Sequence, residues 1–183
     1  MNLLLYSLSL LSVAAVLMVL TARSRRTVSG IYLVSLITGC VLGGISAVVT
    51  LVSRTSTDCR PGFKMPWGEF YIGLDPLSAF FVLTITVLFL LAGIYGYSYL
   101  EHERKKNLGV HYAFYHILLI SLLLIATAKN AVLFLVMWEI MSVSSYFLIT
   151  FYDEKQEVRK AGYLYLIATH TGTFCLWVMF LLM

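Results

Sequence analysis

The chain has 183 residues, 60% of them hydrophobic and 12% charged, with a mean hydropathy of +0.88. Soluble domains carry roughly 25% charged residues, so this composition excludes a soluble enzyme and a nucleic-acid-binding domain and places the chain in lipid. The net charge of +4 and pI near 9.0 come from Lys and Arg confined to short connectors, where they set membrane topology rather than bind nucleic acid.

A crossing of the hydrocarbon core takes about 20 apolar residues, and the sequence offers six such runs, predicting an all-α, multi-pass membrane protein. The first, 2–20, has its arginines (Arg23, Arg25, Arg26) after it, which reads as a retained anchor rather than a cleaved leader. The second, 31–52, carries Gly39 and Gly43 in the small-residue spacing that lets helices approach closely. A polar stretch, 53–73, follows, and its Pro61, Gly62, Pro66 and Gly68 forbid a regular helix. A short strand or hairpin on the membrane surface is expected around 67–72. Asp75-Pro76 then makes a natural cap and first residue for the third run, 77–99.

The charged connector 101–106 leads to the fourth run, 110–128, and only Lys129 and Asn130 separate this from the fifth, 131–152. A tight antiparallel pair is expected there. The loop 153–160 leads to the sixth run, 161–183. The first, third and fifth connectors hold nine of the 13 Lys and Arg, while Arg54, Arg60, Lys64 and Lys129 make up the other side. By the positive-inside rule the N-terminus is expected outside the cell and the odd connectors in the cytoplasm.

Eight of the nine acids lie in connectors or at helix ends, and Glu139 alone sits inside an apolar run. At about 1.5 Å per residue it lies roughly 13 Å beyond Asn130, close to the bilayer middle. An acid there costs about 2.5–3.5 kcal/mol on insertion scales, so it takes a partner, a wet cavity or a bound proton. Leu135, Glu139, Ser142 and Tyr146 share one helical stripe, which is expected to face other helices. Glu139 is thus the leading candidate for a proton path, with a structural, hydrogen-bonded glutamic acid as the alternative.

His116 and His170 lie within the fourth and sixth runs and are candidate relays, the alternative being packing histidines; Thr169, Thr173 and Tyr163 are expected to keep His170 in polar company. Lys129 reads as a snorkelling side chain, and His102 and His111 as solvated near an interface. Cys40, Cys59 and Cys175 form no metal or disulfide pattern, and no phosphate loop, dinucleotide fingerprint or haem or iron–sulfur motif occurs. No cofactor, metal site or redox centre is therefore expected in this chain.

Three segments carry a family resemblance. They are Asp-Pro-Leu-Ser-Ala-Phe-Phe at 75–81, Trp-Glu-Ile-Met-Ser-Val-Ser-Ser-Tyr-Phe-Leu-Ile at 138–149 and Ala-Gly-Tyr-Leu-Tyr-Leu-Ile-Ala-Thr-His-Thr-Gly-Thr at 161–173. Together they resemble the antiporter-like, proton-translocating subunits of the complex I membrane arm, most nearly the large membrane subunit of group 4 hydrogenases (hydrogenase 4 component B, formate hydrogenlyase type). The resemblance implies the first part of a fourteen-helix fold built on inverted repeats with broken helices. It also implies that Glu139 pairs with a lysine of a broken seventh helix, expected beyond residue 183. Implied partners are other membrane-arm subunits of a hydrogenase or dehydrogenase complex, the lipid bilayer and protons, in the cell inner membrane. The chain would be a non-catalytic subunit of an oxidoreductase complex. A cation/proton antiporter subunit and a non-transporting scaffold remain open as alternatives.

Overall fold

A computed structural model describes residues 1–60, 64–65, 68–100 and 107–182, with side chains at all of these except 64, 65, 68 and 69. Outside the described residues lie Pro61, Gly62, Pro66 and Trp67 of the polar stretch, the connector 101–106 with His102, and Met183.

Among the described residues, six helices are long and apolar enough to cross a membrane. They are α1 (Asn2–Leu20), α2 (Arg25–Ser53), α3 (Pro76–Leu100), α4 (Leu108–Thr127), α5 (Ala131–Ile149) and α6 (Gln156–Leu182). Two of them outrun their apolar segments: α2 begins at Arg25 and α6 at Gln156, because polar residues at a helix end keep their backbone bonded while their side chains reach water. The fifth apolar run instead tightens into a 3-10 turn, Thr150–Tyr152.

Local chemistry sets the boundaries. Asp75 caps α3 by accepting from Ser78 N at 2.7 Å, Asn107 caps α4 through Gly109 N, and Asn130 caps α5 through Val132 N at 2.7 Å. Each side chain satisfies a backbone N–H that the helix leaves without a partner. Helix α2 stops at Arg54, which adopts a left-handed φ of 51°.

The first four helices pack around one core, α5 lies on α4, and α6 packs chiefly on α5. Gly39 and Gly43 face the side chains of Leu11 and Thr86, so the small-residue spacing of α2 seats α1 on one side and α3 on the other. The Ser7 hydroxyl donates across that contact to the Gly39 carbonyl at 2.8 Å. Helices α4 and α5 run antiparallel, with Phe114 stacked on Phe147 and His111 against Phe151.

Where α4 starts it meets the end of α1 backbone to backbone. A Cβ on Gly109 would stand 2.7 Å from the Met18 carbonyl oxygen and 2.8 Å from Ala22 Cβ. Gly109→Ala is therefore expected to lower stability by about 1–3 kcal/mol, the usual cost of overpacking a site that cannot give. A thermal unfolding midpoint unchanged in detergent would refute this.

The described residues between 57 and 74 form strands that pack against the bundle. Strand β1 (Thr57–Cys59) pairs antiparallel with β4 (Ile72–Leu74), enclosing a smaller pair, β2 (Lys64–Met65) with β3 (Gly68–Glu69). Extended structure is thus present in the polar stretch, and its longer ladder lies outside the 67–72 segment read from sequence. Ile72 and Leu74 are fully buried. Ile72 also bridges to Ala128, and Lys129 N donates to the Tyr71 carbonyl at 3.0 Å, so the strands clamp the α4–α5 turn.

Candidate functional site

Glu139 lies in the third turn of α5, and the antiparallel register of α5 and α6 brings His170 opposite it. That register rests on a close approach at Gly162: a Cβ there would collide with Thr150 Cγ2 and stand 3.1 Å from the Tyr146 ring. Farther along, Phe134 meets Phe180 edge to face. Between these contacts the Glu139 Oε2 and His170 Nε2 atoms stand 3.5 Å apart. Exposure of the two side chains is 35% and 52%, so the pair faces outward from these six helices.

His170 Nδ1 lies 3.0 Å from the Leu166 carbonyl, an atom that only accepts, so Nδ1 carries a hydrogen. That leaves Nε2 as the ring atom facing the carboxyl.

The neighbouring hydroxyls do less than the helical wheel suggests. Ser142 is fully buried but donates to the Trp138 carbonyl at 3.1 Å. Thr169 and Thr173 likewise donate to carbonyls of their own helix, and Tyr163 is 61% exposed. Hydroxyls in helices fall back on the i−4 carbonyl, so the polar company expected for His170 is supplied by Glu139 instead. Along the stripe, Leu135 and Ser142 are buried and Tyr146 half-buried against α6.

His116 belongs to another place. It is fully buried, with Nε2 2.9 Å from Ser35 Oγ on α2 and Nδ1 3.1 Å from the Tyr112 carbonyl. Tyr32 presents its edge to the ring, stacks on Tyr112 and donates to the Gly93 carbonyl of α3. This polar node ties α2, α3 and α4 together, and neither ring nitrogen contacts Glu139.

Two connector residues differ from their sequence reading. Lys129 does not simply snorkel: its Nζ donates to Asp75 Oδ2 at 2.6 Å, tying the α4–α5 turn to the cap of α3. His111 is not freely solvated, for its Nδ1 is buried without a hydrogen-bond partner. Neither contact has a local signal, since Lys129 and Asp75 stand 54 residues apart.

The Lys129 hydrogen bond, with that from Ser78 N, draws the Asp75 carboxyl down from 3.8 to about 2, and Asp75 holds the Lys129 ammonium above its ordinary 10.5. The depressed acid stabilises the fold fully above about pH 4, losing this as pH falls toward 2; the raised base contributes fully below about pH 10.5 and loses it above. Asp75→Asn keeps a competent cap and removes the pair. It is expected to cost no more than about 1 kcal/mol near neutral pH, both partners being about a third exposed, and the deficit should vanish near pH 2. Melting curves at both pH values test this, and a deficit that persists in acid would refute it.

Residues 128–183 match the family described as NADH:quinone oxidoreductase/Mrp antiporter, transmembrane. The chain is 32% identical to hydrogenase-4 component B of Escherichia coli over 139 residues, covering 76% of this chain and 20% of that protein. It is 28% identical to NADH-quinone oxidoreductase subunit L of Rhodobacter capsulatus, covering 59% of this chain and 15% of the relative. The fold matches a chain of the membrane-bound sulfane sulfur reductase, an archaeal respiratory membrane complex, with a TM-score of 0.78 and 16% identity, over 94% of this chain and 35% of that one. The chain thus spans a fifth or less of the length of these two curated relatives.

Proposed function

We propose, from the match of residues 128–183 to the family described as NADH:quinone oxidoreductase/Mrp antiporter, transmembrane, that the chain is part of a proton-translocating membrane subunit in which Glu139 is the membrane-embedded carboxylate of the proton path. The observation that carries this reading is the 3.5 Å approach of the Glu139 carboxyl to His170, both inside spanning helices. An acid and an imidazole in contact at membrane depth are side chains able to load and unload a proton.

The outward exposure of the pair bears on partners. A lipid-facing carboxyl and imidazole would be costly, so a further helix bearing polar or cationic groups covers them in the working assembly. A lysine there, as the family resemblance implies, would compete with a proton for the carboxylate: its approach favours the anion and frees the proton, and its withdrawal restores the acid. Ser142 and Tyr146 extend the path along α5, while His116 serves packing in the α2–α4 node.

In this reading the subunit belongs to a hydrogenase-type or NADH:quinone-type membrane complex, with other membrane subunits as partners, in the inner membrane and with the N-terminus outside; the likeness to hydrogenase-4 component B and to NADH-quinone oxidoreductase subunit L supports the complex. A cation/proton antiporter subunit is the second reading, favoured by the antiporter half of the matched family. The deciding experiment is proton translocation by the assembled complex carrying Glu139→Gln. Loss of pumping in a complex that assembles supports the path; undiminished pumping overturns it.

A further inference from the structure

At the end of the bundle where α2 starts and α3 finishes, a cleft of about 590 Å³ opens between these helices and the start of α4. We propose that this cleft is the headgroup site of an anionic phospholipid, whose acyl chain runs along the α2–α3 seam to an apolar groove deeper in the membrane. The site is built from other helices than those carrying Glu139 and His170, and it stands independently of the proton path.

The cleft is amphipathic in the way a headgroup requires. Arg25 and Arg26 line it, with Gly30 beside them, and Leu33, Tyr97 and Leu108 supply apolar surface. No carboxylate is among the described residues that line it. A guanidinium keeps its charge and forms paired hydrogen bonds with phosphate oxygens. Tyr97 lies in the last turn of α3, where an aromatic ring with a polar tip settles at headgroup level. The volume falls within the roughly 300–1,000 Å³ of sites that hold small ligands.

The surrounding charge is complementary to an anionic lipid. Residues 21–26 and 101–106 together carry six Lys and Arg against two Glu, and such juxtamembrane clusters attract acidic lipids. This is also the face that the positive-inside rule assigns to the cytoplasm, the leaflet in which acidic lipids give a negative surface potential. At Gly30 the cleft is open because no side chain fills it: a Cβ there would meet nothing within 4 Å.

Below the cleft the seam suits a hydrocarbon chain. At 100° per residue, Gly30, Leu33, Ile37 and Val41 follow one another on one stripe of α2, and Tyr97, Ile94 and Leu90 on one stripe of α3. Ile37, Val41 and Ile94 are exposed. The two stripes lead into a second cavity of about 390 Å³, which Cys40, Val41 and Leu90 help to line and whose other walls are largely aliphatic. Leu33 to Val41 is eight residues, about 12 Å along the helix. That is close to the depth of one leaflet, half of a hydrocarbon core of about 30 Å. A phosphate held by the arginines therefore lays its chain on the seam and brings the chain's end to the groove.

The test is photolabelling of the purified assembled complex in phosphatidylcholine nanodiscs. One sample contains a phosphatidylglycerol with a diazirine in its acyl chain, and the matched sample contains the phosphatidylcholine analogue. Peptide mass spectrometry locates the adducts. We expect phosphatidylglycerol adducts to concentrate at 33–41 and 90–97, at least tenfold above those of the phosphatidylcholine probe. The double variant Arg25→Gln, Arg26→Gln should lower them at least tenfold, since each basic group near the surface adds to acidic-lipid binding. Gly30→Leu should do the same with both arginines in place, by filling the cleft without displacing a neighbour. Should the arginine variant fail to assemble, Gly30→Leu and the comparison of the two probes decide. Equal labelling by both probes shows ordinary bulk lipid and overturns the site. Adducts that survive Gly30→Leu reveal a charged surface without a headgroup cleft, and adducts that survive the arginine variant reveal a groove without headgroup recognition; either overturns it. Absence of adducts from both probes means that a protein segment covers the seam, which overturns it as well.

Discussion

In the assembled complex, Glu139→Gln is expected to reduce proton translocation at least tenfold while leaving assembly intact. Gln keeps the volume and a hydrogen-bond donor for His170 but cannot take up and release a proton, so the proposed path is broken there. Positioned proton-transfer groups contribute typically 10²–10⁴-fold, which makes tenfold a conservative floor. Glu139→Asp separates the roles further. It keeps the charge and draws the carboxyl back by one methylene from a partner already 3.5 Å away, so a partial loss is expected. A scaffold would behave differently: Gln would be tolerated, and only Glu139→Leu, which removes the hydrogen bond, would weaken assembly. Pumping and subunit content measured on the same preparations decide between the two outcomes.

The second large effect is expected at His170. With Nδ1 held by the Leu166 carbonyl, Nε2 is the one ring atom free to exchange a proton with Glu139. His170→Gln retains an amide that can hydrogen-bond the carboxyl but cannot accept the proton, and pumping should fall several-fold. In the proposed path the two groups act on the same proton, so the double variant Glu139→Gln, His170→Gln should pump no worse than Glu139→Gln alone. Groups acting as a unit show this non-additivity, whereas independent sites add. A double variant at the product of the two single losses would show that His170 acts elsewhere.

Much of the fold was legible because lipid removes most alternatives. A backbone in hydrocarbon satisfies its own polar groups or pays several kcal/mol for each one left open, so a run of about 20 apolar residues has little choice but to form a helix. Gly39 and Gly43, and the two-residue turn at 129–130, were readable for the same local reason. The helix ends were less so, since Arg25 and Gln156 extend their helices on backbone bonding alone, which hydropathy does not register.

The candidate site divides along the same line. Glu139 announced itself through the cost of a charge in an apolar run, a property of the residue and its immediate neighbours. His170 was also visible as a candidate relay, but its partner was not, because nothing within α6 says which helix it meets. Its pairing follows from the α5–α6 register, and that register is set by Gly162 closing on Tyr146 and Thr150. His116, equally prominent in sequence, was drawn instead into packing with Ser35 and Tyr32.

By itself, then, the sequence determined that the chain crosses a membrane in six helices and carries one acid at depth, since both follow from transfer free energies that act residue by residue. The tertiary structure alone decided that the acid meets His170 and that Lys129 reaches back to Asp75. Those are contacts between helices, fixed by side-chain shape at the few places where two backbones come close, and no single segment contains both sides of them.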